Sequence, residues 1–256
     1  QGRNFGPAGA EHIDAVRYGR NVNGQTQWLD AAACTVMQSH YTLHCHTVKG
    51  GGRNLKWKVT IADQNSTSPT TNYAPPSIDS VVSGGAGNLA LVAKGGEPIL
   101  IHGSNFGPVG SEILDAVTFG PQGLQYTAID CAVIRDSATI SCTSPPGIGA
   151  GLRFYITVAG QTSSTTIATS NLISYALPKI LATSTATIGT EGGEISFSGT
   201  NFGLAVQGLE AKAWFGTKAL LAVAKTQSDM PAPDGRDSIT VRIPELVDAT
   251  MAMVNV

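Results

Sequence analysis

Between Gly95 and Tyr175 the chain alternates short apolar runs with turn residues. Ile99-Leu100-Ile101 leads to Gly103-Ser104-Asn105-Phe106-Gly107-Pro108, then to Val117-Thr118-Phe119-Gly120. After Cys131, and Cys142 with Pro145-Pro146-Gly147, come Phe154-Tyr155-Ile156-Thr157-Val158, Gly160-Gln161 and Tyr175. Alternating runs punctuated by Gly, Pro and Asn are the pattern of β-strands joined by tight turns. About seven such runs fit the stretch, the strand number of a small β-sandwich.

The same pattern flanks this stretch on both sides. Asn4-Phe5-Gly6, Asn105-Phe106-Gly107 and Asn201-Phe202-Gly203 mark three copies. Tyr18-Gly19, Phe119-Gly120 and Phe215-Gly216 follow in strict register, each glycine 15 residues after its asparagine (4 to 19, 105 to 120, 201 to 216). Tyr73-Ala74-Pro75-Pro76-Ser77-Ile78 and Tyr175-Ala176-Leu177-Pro178-Lys179-Ile180 repeat the close of one copy and the opening of the next. A fixed period of this kind identifies an array before any single residue is interpreted.

The order Pro-x-Ile, Gly-Gly, apolar strand, Gly-x-Asn-Phe-Gly, Val-x-Phe-Gly, Cys, Cys-x-x-Pro, Val-x-Gly-Gln, Tyr resembles the IPT/TIG domain. That domain is an immunoglobulin-like sandwich of plexin-type receptors, fibrocystin-like surface proteins, bacterial surface proteins and some transcription factors. The resemblance covers the chain and is loosest in the third copy, which lacks the cysteines. It implies an all-β fold of tandem immunoglobulin-like sandwiches in a rod-like array, with copies at residues 1–76, 77–178 and 179–256. It implies no catalytic chemistry, because a fold does not bring a function with it. The first copy is expected to lack its opening strand and the third its last, Met251–Val256 being set against Phe154–Val158.

Composition narrows the partners. Charged residues make up 13% of the chain and the net charge is −2, so nothing electrostatic recommends nucleic acid. No apolar run reaches the ~20 residues that span a bilayer, and direct membrane insertion of this segment is not expected.

Cys34 and Cys45 are eleven residues apart, as are Cys131 and Cys142. A pair repeated at one spacing in two copies reads as one disulfide per copy, chemistry that persists in oxidising compartments. The alternative is two buried thiols in each copy. Asn65-Ser66-Thr67 is an N-glycosylation acceptor in a polar loop, and with the disulfides it makes Asn65 the expected site of a glycan. Thr162-Ser163-Ser164-Thr165-Thr166 occupies the matching loop of copy two, where a solvated loop outweighs O-linked sugar.

Other constellations weigh less. His44 and His46 would share one face of a strand, and with His40 they offer ligand types that zinc uses. Copy two has Thr139, Ser141 and Thr143 thereabouts, so an exposed polar face is the better reading and no metal is expected. Glu11 with Asp14, and Glu112 with Asp115, recur at one place and read as a solvated acidic loop, since copy three has Ala211 there. The Asn-Phe-Gly element reads as structural, with Asn and Gly in a positive-φ turn and Phe closing the core. No catalytic residues and no cofactor are expected.

These features point to a structural or adhesive segment of an extracellular glycoprotein at the cell surface, with a building block of a surface filament or appendage as the expected form. Its partners would be further repeats of the same chain or identical subunits in a polymer, with glycans as a further class. The missing edge strands would come from a longer chain or from a neighbouring subunit by β-augmentation. A spacer array in a plexin-like receptor and accessory sandwiches of a secreted carbohydrate-active enzyme are the alternatives.

Overall fold

The computed structural model describes residues 1–67, 69–83, 90–164, 172–184, 187–203, 213–215, 218–220, 222–226, 237–243 and 254–255, and these hold strands and turns with no helix. Copy two is a sandwich of two four-stranded sheets. One runs in the order Ile129–Arg135, Thr139–Thr143, Pro98–Ser104, Ser77–Ser83, and the other Tyr126–Thr127, Leu114–Gly120, Arg153–Val158, Gln161–Thr162. Every pairing within them is antiparallel. A short parallel ribbon, Ala90–Leu91 with Ser174–Tyr175, closes one side.

Alternation fixes which residues face inward. In Arg153–Val158 the side chains of Phe154, Ile156 and Val158 are buried while Arg153 is exposed, as a period of two requires. They meet Ile99, Ile101 and Ile140 from the opposite sheet in one continuous core. Phe119, opposite Phe154 in the ladder, stacks on it with ring centroids 4.7 Å apart.

Copy one keeps one sheet whole and the other in part. Gln25–Asp30, Ile13–Val22, Leu55–Ile61 and Gln64–Asn65 form the first, with Thr70–Thr71 also on Leu55–Ile61. Among the described residues the second holds Ala32–Gln38 and Thr42–His46 alone. Their counterparts in copy two, Ile129–Arg135 and Thr139–Thr143, are continued by Pro98–Ser104 and Ser77–Ser83. Thr42–His46 therefore pairs along one edge where Thr139–Thr143 pairs along both. Val16, Tyr18, Val36 and Leu55 are buried nonetheless. Val59 and Ile61, the counterparts of the buried Ile156 and Val158, are half-buried.

Copy three has Lys179–Thr183, Gly193–Thr200, Asp237–Ile243 and Ala222–Thr226 in one sheet, and Lys218–Leu220, Ala213–Phe215 and Val254–Asn255 in another. Phe215 faces Val254 in the ladder, as Phe119 faces Phe154. Val254 rather than Met251 thus stands in the place of Phe154, a shift from the alignment expected of the sequence. Val241, in the place of the second cysteine, is fully buried.

Candidate functional site

The side chains that repeat between copies converge on the joints between them. Each closing tyrosine returns its hydroxyl to the loop after the second cysteine. Tyr73 Oη donates to the Val48 carbonyl at 2.5 Å and Tyr175 Oη to the Pro145 carbonyl at 2.7 Å, three residues after Cys45 and Cys142 respectively. Burial pushes the pKa of both phenols up, helped at Tyr73 by the Tyr18 hydroxyl and at Tyr175 by Tyr126 and Glu97. Both stay protonated donors at any ordinary pH.

From each tyrosine the chain enters the next copy within a few residues, and there the Asn-Phe-Gly turn holds it. Asn105 Nδ2 donates to the Pro75 carbonyl at 3.0 Å, and Asn201 Nδ2 to the Leu177 carbonyl at 3.4 Å. Pro75 and Leu177 are equivalent, each two residues after its tyrosine. Asn201 also accepts from the Ala93 amide of copy two at 3.2 Å. Asn4, Asn105 and Asn201 share φ of 65°, 62° and 62°, the left-handed region in which asparagine is tolerated. The glycine two residues earlier is fixed by crowding. A methyl on Gly103 would lie 2.0 Å from the Ser77 carbonyl and 2.5 Å from the Phe106 ring, and Gly199 meets Lys179 and Phe202 at the same distances.

The joint between copies one and two has a second fastening. Gln161 of copy two donates through Nε2 to the Tyr73 carbonyl at 3.0 Å and accepts through Oε1 from the Gly52 amide at 3.1 Å. One planar amide so satisfies two backbone groups of the neighbouring copy. Lys49 forms an ion pair with Asp136 across the same joint. The Lys49 ammonium and the Val109 amide together hold the Asp136 carboxyl below its ordinary pKa.

The cysteines lie on adjacent strands. Cys34 is bonded to Cys45 and Cys131 to Cys142, with sulfur–sulfur distances of 2.12 and 2.07 Å. Asn65 sits not in an open loop but in the short edge strand after the Ala62–Asp63 turn, exposed, with its Oδ1 accepting from Thr60 Oγ1 at 3.0 Å. His44 and His46 do share a face, their rings edge-on at 5.6 Å. His40 lies in the preceding turn with φ of 67°, and no group of three potential metal ligands converges among the described residues.

Of the acidic pairs, Glu11 and Glu112 lie in exposed turns as expected, and the aspartates need correction. Asp14 and Asp115 lie inside strands, not in a solvated loop, and each closes a hairpin. Asp14 Oδ2 accepts from the Asp63 amide at 3.0 Å, and Asp115 Oδ2 from the Gly160 amide at 2.7 Å. The signal was present in the sequence as a repeated carboxylate, but its partner lies 49 and 45 residues away.

Among curated proteins none matches the sequence. Among solved structures the chain is similar to SGBP-B from a complex xyloglucan utilization locus in Bacteroides uniformis, at 19% identity over 67% of this chain and 43% of that one, with a TM-score of 0.29. It is also similar to the full extracellular region of plexin A4, at 12% identity over 96% of this chain and 29% of that one, with a TM-score of 0.28. The chain spans less than half the length of each. Residues 76–173 match the IPT/TIG domain family, and with the two facing sheets, the joined cysteines and the closing tyrosine in place, this part of the chain is an immunoglobulin-like sandwich of the IPT/TIG family.

Proposed function

We propose that the chain is a structural and adhesive segment of an extracellular tandem-repeat glycoprotein, a stiff row of three IPT/TIG-like copies at residues 1–76, 77–178 and 179–256, and a building block for a surface filament or appendage. The observation that carries the reading is the repeated joint. Both linkers are short, both contain proline, and both are bonded at the same place by the asparagine of the copy that follows. A linker held in this way fixes the angle between neighbours, whereas a free one would leave them to swing. The disulfides suit an oxidising compartment outside the cell. Asn65 is exposed at a sheet edge, the accessible placement that attachment of a glycan requires. In this reading the partners are further repeats of the same chain or identical subunits, and no catalysis is assigned.

Small-angle scattering of the 256-residue chain tests the proposal. An elongated particle, three sandwiches end to end, is the expected result. Asn105→Ala with Gln161→Ala should broaden its distance distribution. A compact particle, or one unchanged by the double substitution, overturns the reading. Glycopeptide mass spectrometry of the protein from its natural source should find Asn65 modified.

A further inference from the structure

The joint between copies one and two encloses a cleft of about 210 Å³, with Arg20, Leu29, Lys49, Gly51 and Leu55 on the side of copy one and Ile113 on the side of copy two. We propose that this cleft is a binding site for a small organic acid with an apolar body, and that the Arg20 guanidinium is the anchor for its carboxylate.

Arg20 is the first point of the argument. In the strand Ile13–Val22, alternate residues face the core: Val16 is 5% exposed and Tyr18 1%. Arg20 continues that row, so a cation follows two core side chains on the inner face and is itself half-buried. Its stem crosses the backbone of the glycine-rich loop, where a methyl on Gly52 would lie 3.2 Å from Arg20 Cδ. Arg17, on the outer face of the strand, pairs with Asp30. Lys49, the other cation of the cleft, is paired with Asp136. Among the described residues Arg20 has no such partner, and no aspartate or glutamate lines the cleft.

A guanidinium drawn partly out of water without a counter-charge is unfavourable. Its planar fork matches a carboxylate in two parallel hydrogen bonds, which specifies the anion. Leu29, Leu55, Pro108 and Ile113 supply aliphatic walls, and Gln27, Lys49 and Ser111 stand among them. Apolar walls with a few polar side chains between them are the usual build of a small-molecule site, and Arg20 is the cation here that has no carboxylate partner. The volume lies under the 300–1,000 Å³ or so typical of larger ligands, which limits the occupant to a single ring or a short chain. Position supports the same assignment. Arg20 corresponds to Pro121 in copy two and Thr217 in copy three by the Tyr/Phe-Gly register, so the cation is not part of the shared sandwich design.

The test titrates the isotope-labelled chain with propionate, phenylacetate and glucuronate, and with phenylacetamide as the neutral control, while nuclear magnetic resonance follows the Gly51 and Gly52 amides and the Arg20 Nε–H. At least one acid should give saturable shifts confined to these groups, and phenylacetamide should give none. Arg20→Met, which keeps the aliphatic stem, should weaken binding by about tenfold or more, the loss expected for a charge-assisted bond. Arg17→Met should bind as the native chain does. Absence of saturable shifts with all three acids overturns the proposal, as does equal binding by phenylacetamide or by a well-dispersed Arg20→Met variant. The rod-like reading does not depend on this outcome, since scattering measures shape whether or not the cleft is filled.

Discussion

Copies one and two share a ladder register, a disulfide spacing and a closing tyrosine, yet they bury their interiors differently. In copy two both faces of the sandwich carry four strands and the aliphatic rows close completely. In copy one the strand Thr42–His46 pairs along one edge, and Val59 and Ile61 remain half-buried. Copy one compensates with polar aromatic groups. Tyr18 takes the place of Phe119, stacks on Trp57 at 4.6 Å, and exchanges hydrogen bonds with Tyr73 and Val48. The comparison teaches that the pattern of this family can be held either by an apolar core or by a smaller core tied with hydroxyls. The second arrangement is cheaper to open, since burial contributes about 25 cal/mol for each Å² removed from water.

The largest expected effect lies in the apolar arrangement. Phe119→Ala removes a fully buried ring from between Phe154 and Tyr175 and should destabilise copy two by about 3–5 kcal/mol, the usual cost of such a cavity. Hydrogen exchange of the Arg153–Val158 amides would report it. A loss below about 1 kcal/mol would mean that copy two does not depend on a closed core and that the contrast with copy one is false.

Next in size are the disulfides, because a loop of this length contributes about 3 kcal/mol on the chain-entropy view. Replacing both Cys131 and Cys142 with Ala should leave Thr139–Thr143 held by its two neighbours. Replacing Cys34 and Cys45 should release Thr42–His46, which has one neighbour. Proteolysis of the two variants sharpens the comparison: cleavage should concentrate near Thr42–His46 in the second and stay slow near Thr139–Thr143 in the first. Equal cleavage would show that the missing ladder contacts contribute little.

Much of this was legible in the sequence. Alternation located the strands, and the Asn-Phe-Gly and Tyr/Phe-Gly landmarks set the copies in register, because turn geometry and core packing act over a few residues. The joints were not legible in the same way. Asn105 read as a turn residue, and its bond to Pro75 spans 30 positions. The two bonds of Gln161 span 88 and 109. Asp14 and Asp115 repeat visibly, but only the folded hairpins bring the Asp63 and Gly160 amides to them. Local patterns report local constraints: the asparagine of each joint repeats visibly, but the distant carbonyl it bonds is not written beside it.

The smallest effect concerns the ion pair that crosses the joint. Lys49 and then the Val109 amide hold the Asp136 carboxyl below its ordinary pKa. A carboxylate whose pKa is depressed in the folded state contributes fully above its unfolded value, about 4 for aspartate, and loses that contribution as acid protonates it. The joint should therefore be tightest at neutral pH and should loosen as the pH falls through about 4 and below. The side chains are largely exposed, and exposed pairs are screened by salt and contribute little on average. Exchange of the Gly52 amide, which Gln161 holds across the same joint, gives the readout. After correction for intrinsic exchange, its protection should fall in acid or high salt in the native chain. In Lys49→Met it should already be lower at neutral pH and respond less to either change. Protection that is the same in both proteins at neutral pH would show that Gln161 and Asn105 fasten the joint without the ion pair, and the difference between the joints would then rest on neutral hydrogen bonds alone.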